Sequence, residues 1–245
     1  MDELADRAGF IVVYPDGTGR LPGFLLTWNA GTCCGYARDH DVDDVGFVRE
    51  LLVELEAAAP IDERRIYATG LSNGAMMAYR LAAEAPDLVA AVAPVGGAMA
   101  LDPLQAEAPV PVLHIHSVDD PRALYQGGLG PPFPLTTQRV DHPPVESVLG
   151  FWAANNGCAS QPRETDARQS RPDPDGPIHT ARRLTFAPCA SGAEVVHWKL
   201  SGAGHVWPGG QLGYLTSLLG PGTDVIDANE EAWGFFQGYA LEAPG

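Results

Sequence analysis

A serine, a carboxylate and a histidine stand along this chain in an order that suits nucleophilic acyl transfer. Ser72 lies in Gly70-Leu71-Ser72-Asn73-Gly74, a G-x-S-x-G pattern. Asp120 closes Ser117-Val118-Asp119-Asp120 just ahead of Pro121, and His205 lies in Gly204-His205-Val206-Trp207. A serine hydroxyl is a weak nucleophile until a neighbouring base takes its proton, and a carboxylate behind that base fixes its tautomer. The expected chemistry is attack of Ser72 on an ester carbonyl, with His205 as general base and Asp120 orienting His205. An acyl-serine forms and water releases it. The backbone N–H of Asn73 is the expected oxyanion donor. Each segment also has a plain reading: a Gly-rich turn, a pair of turn-forming aspartates before a proline, one histidine among seven. All three in order, each just past a strand, outweigh those readings.

The elements that must position these groups can be read from local pattern. Ile66 to Thr69 suit a short buried strand, and Met76, Met77, Tyr79 and Leu81 suit a helix. Ser72 therefore sits on a strand–turn–helix. A serine there has strained backbone, and Gly70 and Gly74 are expected to omit side chains that would strike the strand and the helix. The helix N-terminus favours the negative charge that develops beside the nucleophile. This is the nucleophile elbow of α/β-hydrolases, whose triad runs Ser, then Asp or Glu, then His.

Further strands are expected over 10–14, 88–93, 110–116 and 195–200. Helices are expected at 2–8, after the capping pair Asp43-Asp44, over 145–155 and over 227–239. Residues 121–144 are rich in Gly and Pro and predict a loop over the site. Residues 162–177 are polar and Pro-rich and predict a surface excursion. Strands alternating with helices imply an α/β fold: a mostly parallel sheet with helices on both faces, in a single domain over 1–245. Catalytic groups of such sheets lie past the C-terminal ends of strands, which is where Asp120 and His205 fall. His114 and His116 alternate along a strand, so at most one is expected to face the site. Both are expected to pack or hydrogen-bond, and His116, nearer the strand end, is the better support for the site.

Composition narrows the partners. The chain has 245 residues, 45% hydrophobic, with a formal net charge of −16. Lys199 is its one lysine. Phosphate binding needs basic patches, so nucleic acid is not an expected partner. No apolar run approaches the roughly 20 residues of a membrane span, and residues 1–7 lack the basic and apolar regions of a signal peptide. The four cysteines form no C-x-x-C spacing, so no metal site is expected. Cys158 and Cys189 lie in Gly- and Pro-punctuated segments. A staple across the intervening excursion and a pair of reduced thiols are both open on that ground. A vicinal disulfide and buried thiols are likewise both open for Cys33 and Cys34.

The chain resembles the secreted esterases described as polyhydroxybutyrate depolymerase or feruloyl esterase, within carbohydrate esterase family one. The resemblance is carried by residues 4–17, 28–35, 42–47, 70–74, 114–120 with Tyr125, 152–158 and 204–210. It implies Asp120, not Asp119, as the acid, since the family pattern there runs H-G-T-x-D-P. It implies a disulfide between Cys158 and Cys189. It makes Trp207 similar to the family's aromatic wall for the acyl group; Trp28 is a second substrate-binding candidate whose plain reading is loop packing. It implies no cofactor, a small-molecule or polymeric ester substrate, and a secreted or periplasmic location.

The resemblance also exposes a departure. Family members carry strands, and an H-G-G-like loop that supplies the second oxyanion N–H, ahead of the point where this chain begins. The expectation is an N-terminally truncated hydrolase in which the strands at 10–14 and 66–69 pair directly, or a partner copy fills the gap. The loop at 31–35 is the expected substitute donor. Two readings of different class follow: a serine esterase acting on hydroxyalkanoate, feruloyl or aromatic polyester substrates, and a triad-bearing binding protein of weak or no turnover.

Overall fold

The computed structural model describes residues 1–133, 136–171 and 178–242. Helices α1 (Asp2–Ala8), α2 (Gly35–Asp39) and α3 (Asp44–Ala58) precede strand β1 (Tyr67–Leu71) and helix α4 (Asn73–Glu84). Strands β2 (Ala91–Val95) and β3 (Val112–Ser117) follow, then the short pair β4 (Gly128–Leu129) and β5 (Asp141–His142), then helix α5 (Val145–Asn155). Strands β6 (Arg163–Gln169), β7 (Thr180–Phe186) and β8 (Val195–Ser201) lead to helices α6 (Thr216–Leu219) and α7 (Ala228–Phe236).

The main sheet has the order β1-β2-β3-β8-β7-β6. The first four strands are parallel, and β7 and β6 continue the sheet antiparallel. Alternation along the buried strands divides the core in two. Val92 and Val112 point toward α4 and α5, among Tyr79, Ala82, Leu149 and Trp152. Ala91, Ala93, Leu113 and Ile115 point the other way, toward Ala232, Phe235 and Phe236 of α7. A central parallel strand covered on both faces tends to be apolar throughout, as β2 is, whereas β3 carries His114, His116 and Ser117 among its apolar residues. The fold is that of an α/β-hydrolase, as the alternating pattern predicts.

Helix α3 is capped by Asp43, whose carboxylate accepts the Gly46 N–H, and α5 spans the residues expected of it. The Cys158–Cys189 disulfide joins the end of α5 to the segment before β8. Cys33 and Cys34 are buried side by side with their sulfurs against each other. No helix among the described residues is long and apolar enough to cross a membrane.

Two expectations about strands fail. Residues 10–14 form no strand: Ile11 is 54% and Tyr14 66% exposed, and among the described residues β1 pairs with β2 alone. Phe10 instead stacks on Trp233 of α7. Apolar β-branched residues make a strand only where a neighbour takes up their hydrogen bonds, and none lies beside this segment among the described residues. The segment at 162–177 departs in the opposite sense. Its first part is β6, a polar, exposed strand held to β7 through the backbone ladder and a Thr165–Thr185 side-chain contact. Pairing in a hairpin overrides weak strand propensity. The remainder, 172–177, lies outside the described residues.

Candidate active site

Ser72 occupies the turn between β1 and α4 with φ 60° and ψ −117°, a conformation that side-chain-bearing residues rarely adopt. Its N–H donates to the Val95 carbonyl, which ties the turn to β2. Of the two glycines around it, Gly70 acts as expected and Gly74 does not. A Cβ on Gly70 would stand 2.6 Å from the Gly74 backbone carbon, so Gly70 is required. A Cβ on Gly74 would meet nothing within 4 Å, so Gly74 is not clearing a collision of its own side chain; its backbone is the surface that Gly70 approaches. A second requirement lies at Gly97, where a Cβ would come within 2.3 Å of the Ser72 carbonyl oxygen. Asn73 is the first residue of α4, where backbone N–H groups have no intrahelical partner. Its N–H is thus suited to an anionic oxygen beside Ser72.

Asp120 is 5% exposed, just past the end of β3. Its Oδ1 accepts the N–H groups of Arg122 and Ala123 at 2.7 and 2.8 Å. Its Oδ2 lies 2.7 Å from His205 Nδ1 and 3.4 Å from His116 Nε2. Burial alone would raise its pKa, but the hydrogen bonds from His116 and His205 outweigh burial and hold the carboxyl well below the usual range. It is ionised wherever His205 needs an anionic partner. The neighbouring Asp119 serves the loops instead. Its Oδ2 accepts the Gly202 N–H, while Ser117 Oγ donates to the Ala203 carbonyl. The loop that bears His205 is thereby stitched to the loop that bears Asp120. His205 is itself held by its N–H to the Leu219 carbonyl at 2.6 Å, a contact allowed because Gly204 has no Cβ to strike that oxygen.

Ser72 and His205 line one cavity of about 160 Å³. Cys34, Met76, Phe133, Val140, Leu218 and Leu219 make most of its apolar wall, and Arg122 and His142 add polar edges. Several of these come from the loop over 121–144, in keeping with its expected place above the site. The Ser72 hydroxyl makes no hydrogen bond to His205 among the described residues; such bonds are often long before substrate binds. Among the described residues, no cluster of three or more His, Cys, Asp or Glu side chains is arranged to hold a metal ion.

Other expected residues fall elsewhere. Neither tryptophan lines this cavity. Trp207 packs against the α7 side of the core and donates from Nε1 to Asn229 Oδ1, while the Trp28 ring lies 6.1 Å from that of Phe47. Trp28 nevertheless matters to the site through its backbone, which Asn73 holds. In the 31–35 loop, Cys34 reaches the cavity, but the N–H groups of Gly31, Thr32 and Cys34 are engaged by Asn29, Ala100 and Trp28. Those three groups are spent and do not supply a second oxyanion donor.

Neither His114 nor His116 lines the cavity and only His116 reaches Asp120, so at most one meets the site, as expected; what differs is that the two lie on one face. Residues two apart on a strand share a face, and the two imidazoles hydrogen-bond each other at 3.0 Å behind Asp120. The cavity residues Met76, Phe133, Val140, Leu218 and Leu219 were not legible in the sequence. Their only signal is apolar type in segments of no shared pattern.

The family described as Esterase PHB depolymerase matches residues 1–159, which include Ser72 and Asp120. Over 252 residues the chain is 32% identical to the putative esterase NocK of Nocardia uniformis subsp. tsuyamanensis, covering 97% of this chain and 68% of that protein. It is 29% identical over 205 residues to the bifunctional acetylxylan esterase/xylanase XynS20E of Neocallimastix patriciarum, covering 83% of this chain and 25% of that protein. It is 28% identical over 216 residues to feruloyl esterase B of Piromyces equi, covering 84% of this chain and 35% of that protein. The chain thus spans about a quarter to a third of the last two.

Proposed function

Since this chain belongs to the esterase family described as Esterase PHB depolymerase, we propose that it hydrolyses carboxylic esters through an acyl-serine, with Ser72 as nucleophile, His205 as base and Asp120 as acid. The observation that carries the reading is the 2.7 Å contact between His205 Nδ1 and the buried, ionised Asp120, with Ser72 in the same cavity. In this mechanism His205 Nε2 takes the Ser72 proton as Oγ attacks the ester carbonyl. The carbonyl oxygen becomes an oxyanion that accepts the Asn73 N–H at the start of α4. Asp120 stabilises the imidazolium. His205 then protonates the leaving alcohol, and water repeats the cycle on the acyl-serine.

The apolar wall favours an acyl group of small hydrophobic body. At about 160 Å³ the cavity is smaller than the roughly 300–1,000 Å³ of drug-sized sites. A short hydroxyacyl unit suits it better than a long fatty chain. Hydroxyalkanoate, feruloyl and aromatic polyester substrates form the panel to compare. The Cys158–Cys189 disulfide supports a secreted or periplasmic setting, where such bonds persist.

The test is hydrolysis of p-nitrophenyl butyrate. The purified chain turns it over, and Ser72→Ala lowers kcat by roughly 10⁶-fold without loss of folding. A folded chain with no turnover on any ester of the panel would overturn the proposal in favour of a triad-bearing binding protein.

A further inference from the structure

Behind Asp120 runs a chain of buried polar groups that the acyl-transfer steps do not use. Tyr79, on the helix that starts at the nucleophile, places its hydroxyl 3.0 Å from His114 Nδ1. His114 Nε2 lies 3.0 Å from His116 Nδ1. His116 Nε2 lies 2.9 Å from the Ala123 carbonyl and 3.4 Å from Asp120 Oδ2. Tyr79 and His114 are fully buried and His116 is 2% exposed.

We propose that His116 is a positioning residue for the Asp120–His205 pair, held in one tautomer by His114 and Tyr79. The inference rests on the acyl-serine reading above and concerns what keeps its acid in place. A carbonyl oxygen only accepts, so His116 Nε2 carries a proton and points it at Ala123 and Asp120. Burial holds the His114 pKa well below its ordinary value, so His114 carries a single ring proton. The remaining ring nitrogens then have one consistent assignment. His116 Nδ1 accepts from His114 Nε2–H, and His114 Nδ1 accepts from the Tyr79 hydroxyl. Each ring nitrogen of the two histidines then has a partner, and a buried polar network so satisfied rigidifies its surroundings.

What it rigidifies is the turn at 120–123. Ala123 donates to Asp120 Oδ1 and accepts from His116, so His116 clamps the turn whose N–H groups hold one carboxylate oxygen. From the same nitrogen it approaches the other oxygen, beside His205. Because Tyr79 belongs to α4, the network also ties the helix behind Ser72 to the loop bearing the acid. The three members of the proposed triad come from distant segments, and this network spans two of them.

The test combines ring nitrogen NMR with kinetics. In ¹⁵N-histidine-labelled protein, His114 and His116 are each expected as the neutral tautomer protonated on Nε2, and His205 on Nδ1. His116 is further replaced by Phe, which keeps bulk and removes the donor, and by Gln, whose amide nitrogen reaches toward the Nε2 position. The expectation is a fall in kcat of about tenfold for His116→Phe, the scale of losing an outer partner of a positioned ligand, with KM nearly unchanged and much of kcat recovered in His116→Gln. Detection of His116 protonated on Nδ1 or on both nitrogens, or a folded His116→Phe protein with unaltered kcat, overturns the inference. Failure of the underlying reading is separate, since it appears as absence of Ser72-dependent turnover in the unsubstituted protein.

Discussion

The side-chain amide of Asn73 clasps the backbone of Trp28 at both ends. Oδ1 accepts the Trp28 N–H at 2.7 Å, and Nδ2 donates to the Trp28 carbonyl at 3.0 Å. The residue after the nucleophile therefore stands in for a strand neighbour and fixes the start of the 28–35 loop against the elbow. That loop carries Cys34 into the cavity wall.

Replacing Asn73 separates this clasp from the backbone N–H that the mechanism uses. Asn73→Ala keeps the N–H and removes both side-chain bonds, leaving the Trp28 N–H without a partner and its carbonyl with the Cys34 N–H alone. Unfolding free energy is expected to fall by about 1–3 kcal/mol, and kcat/KM is expected to fall with it. Asn73→Asp keeps the acceptor but sets a carboxylate against the Trp28 carbonyl, and is expected to be at least as damaging. Urea denaturation together with p-nitrophenyl butyrate kinetics checks both. Wild-type behaviour in both variants would show that the loop is held by other contacts.

The close approach of Gly70 to Gly74 makes an asymmetric prediction. Gly70→Ala drives a methyl group to 2.6 Å from backbone that cannot move aside. The expected cost is about 1–3 kcal/mol of stability, with near-complete loss of esterase activity as Ser72 is displaced. Gly74→Ala meets no neighbour and lies inside α4, where Ala is the better helix former. It is expected to fold at least as stably as the parent. Thermal unfolding of the two single variants tests the contrast directly.

Acid should weaken the protein in two stages. Burial depresses the His197 pKa from its ordinary value of 6.5 to about 4, and burial with the neighbouring imidazoles holds His114 well below its own. The unfolded chain takes up these protons at about 6.5, whereas the native state resists them. Stability is therefore full above about pH 6.5 and declines as pH falls toward 4, by about 3 kcal/mol for His197 alone. At lower pH a second loss begins. Burial opposes ionisation of Glu146, but hydrogen bonds from Lys199 and Tyr125 outweigh it and depress its pKa, as those from histidines do for Asp120. Such carboxylates stabilise above their unfolded pKa values and lose that contribution below them. Urea midpoints from pH 8 to 3 should follow this course, and His197→Gln should flatten the first stage. A midpoint unchanged between pH 6.5 and 4 contradicts it.

The sequence by itself determined the order of Ser72, Asp120 and His205, the elbow around Ser72, the Asp43 cap and the span of α5. These rest on turn chemistry and periodicity within a few residues, which short stretches carry intact. Only the tertiary structure decided that residues 10–14 lack a strand partner, that the polar segment at 163–169 has one, and that Trp28 and Trp207 stand outside the cavity. Apolar type specifies burial somewhere; it does not specify against what. The histidine chain shows the same limit. Residue types and spacing marked His114 and His116 as packing or hydrogen-bonding residues, but Tyr79, Ala123 and Asp120 became their partners only when α4, β3 and the turn after β3 converged. Hydrogen bonds are directional and short, so which groups meet is set by the packing of elements distant in the chain.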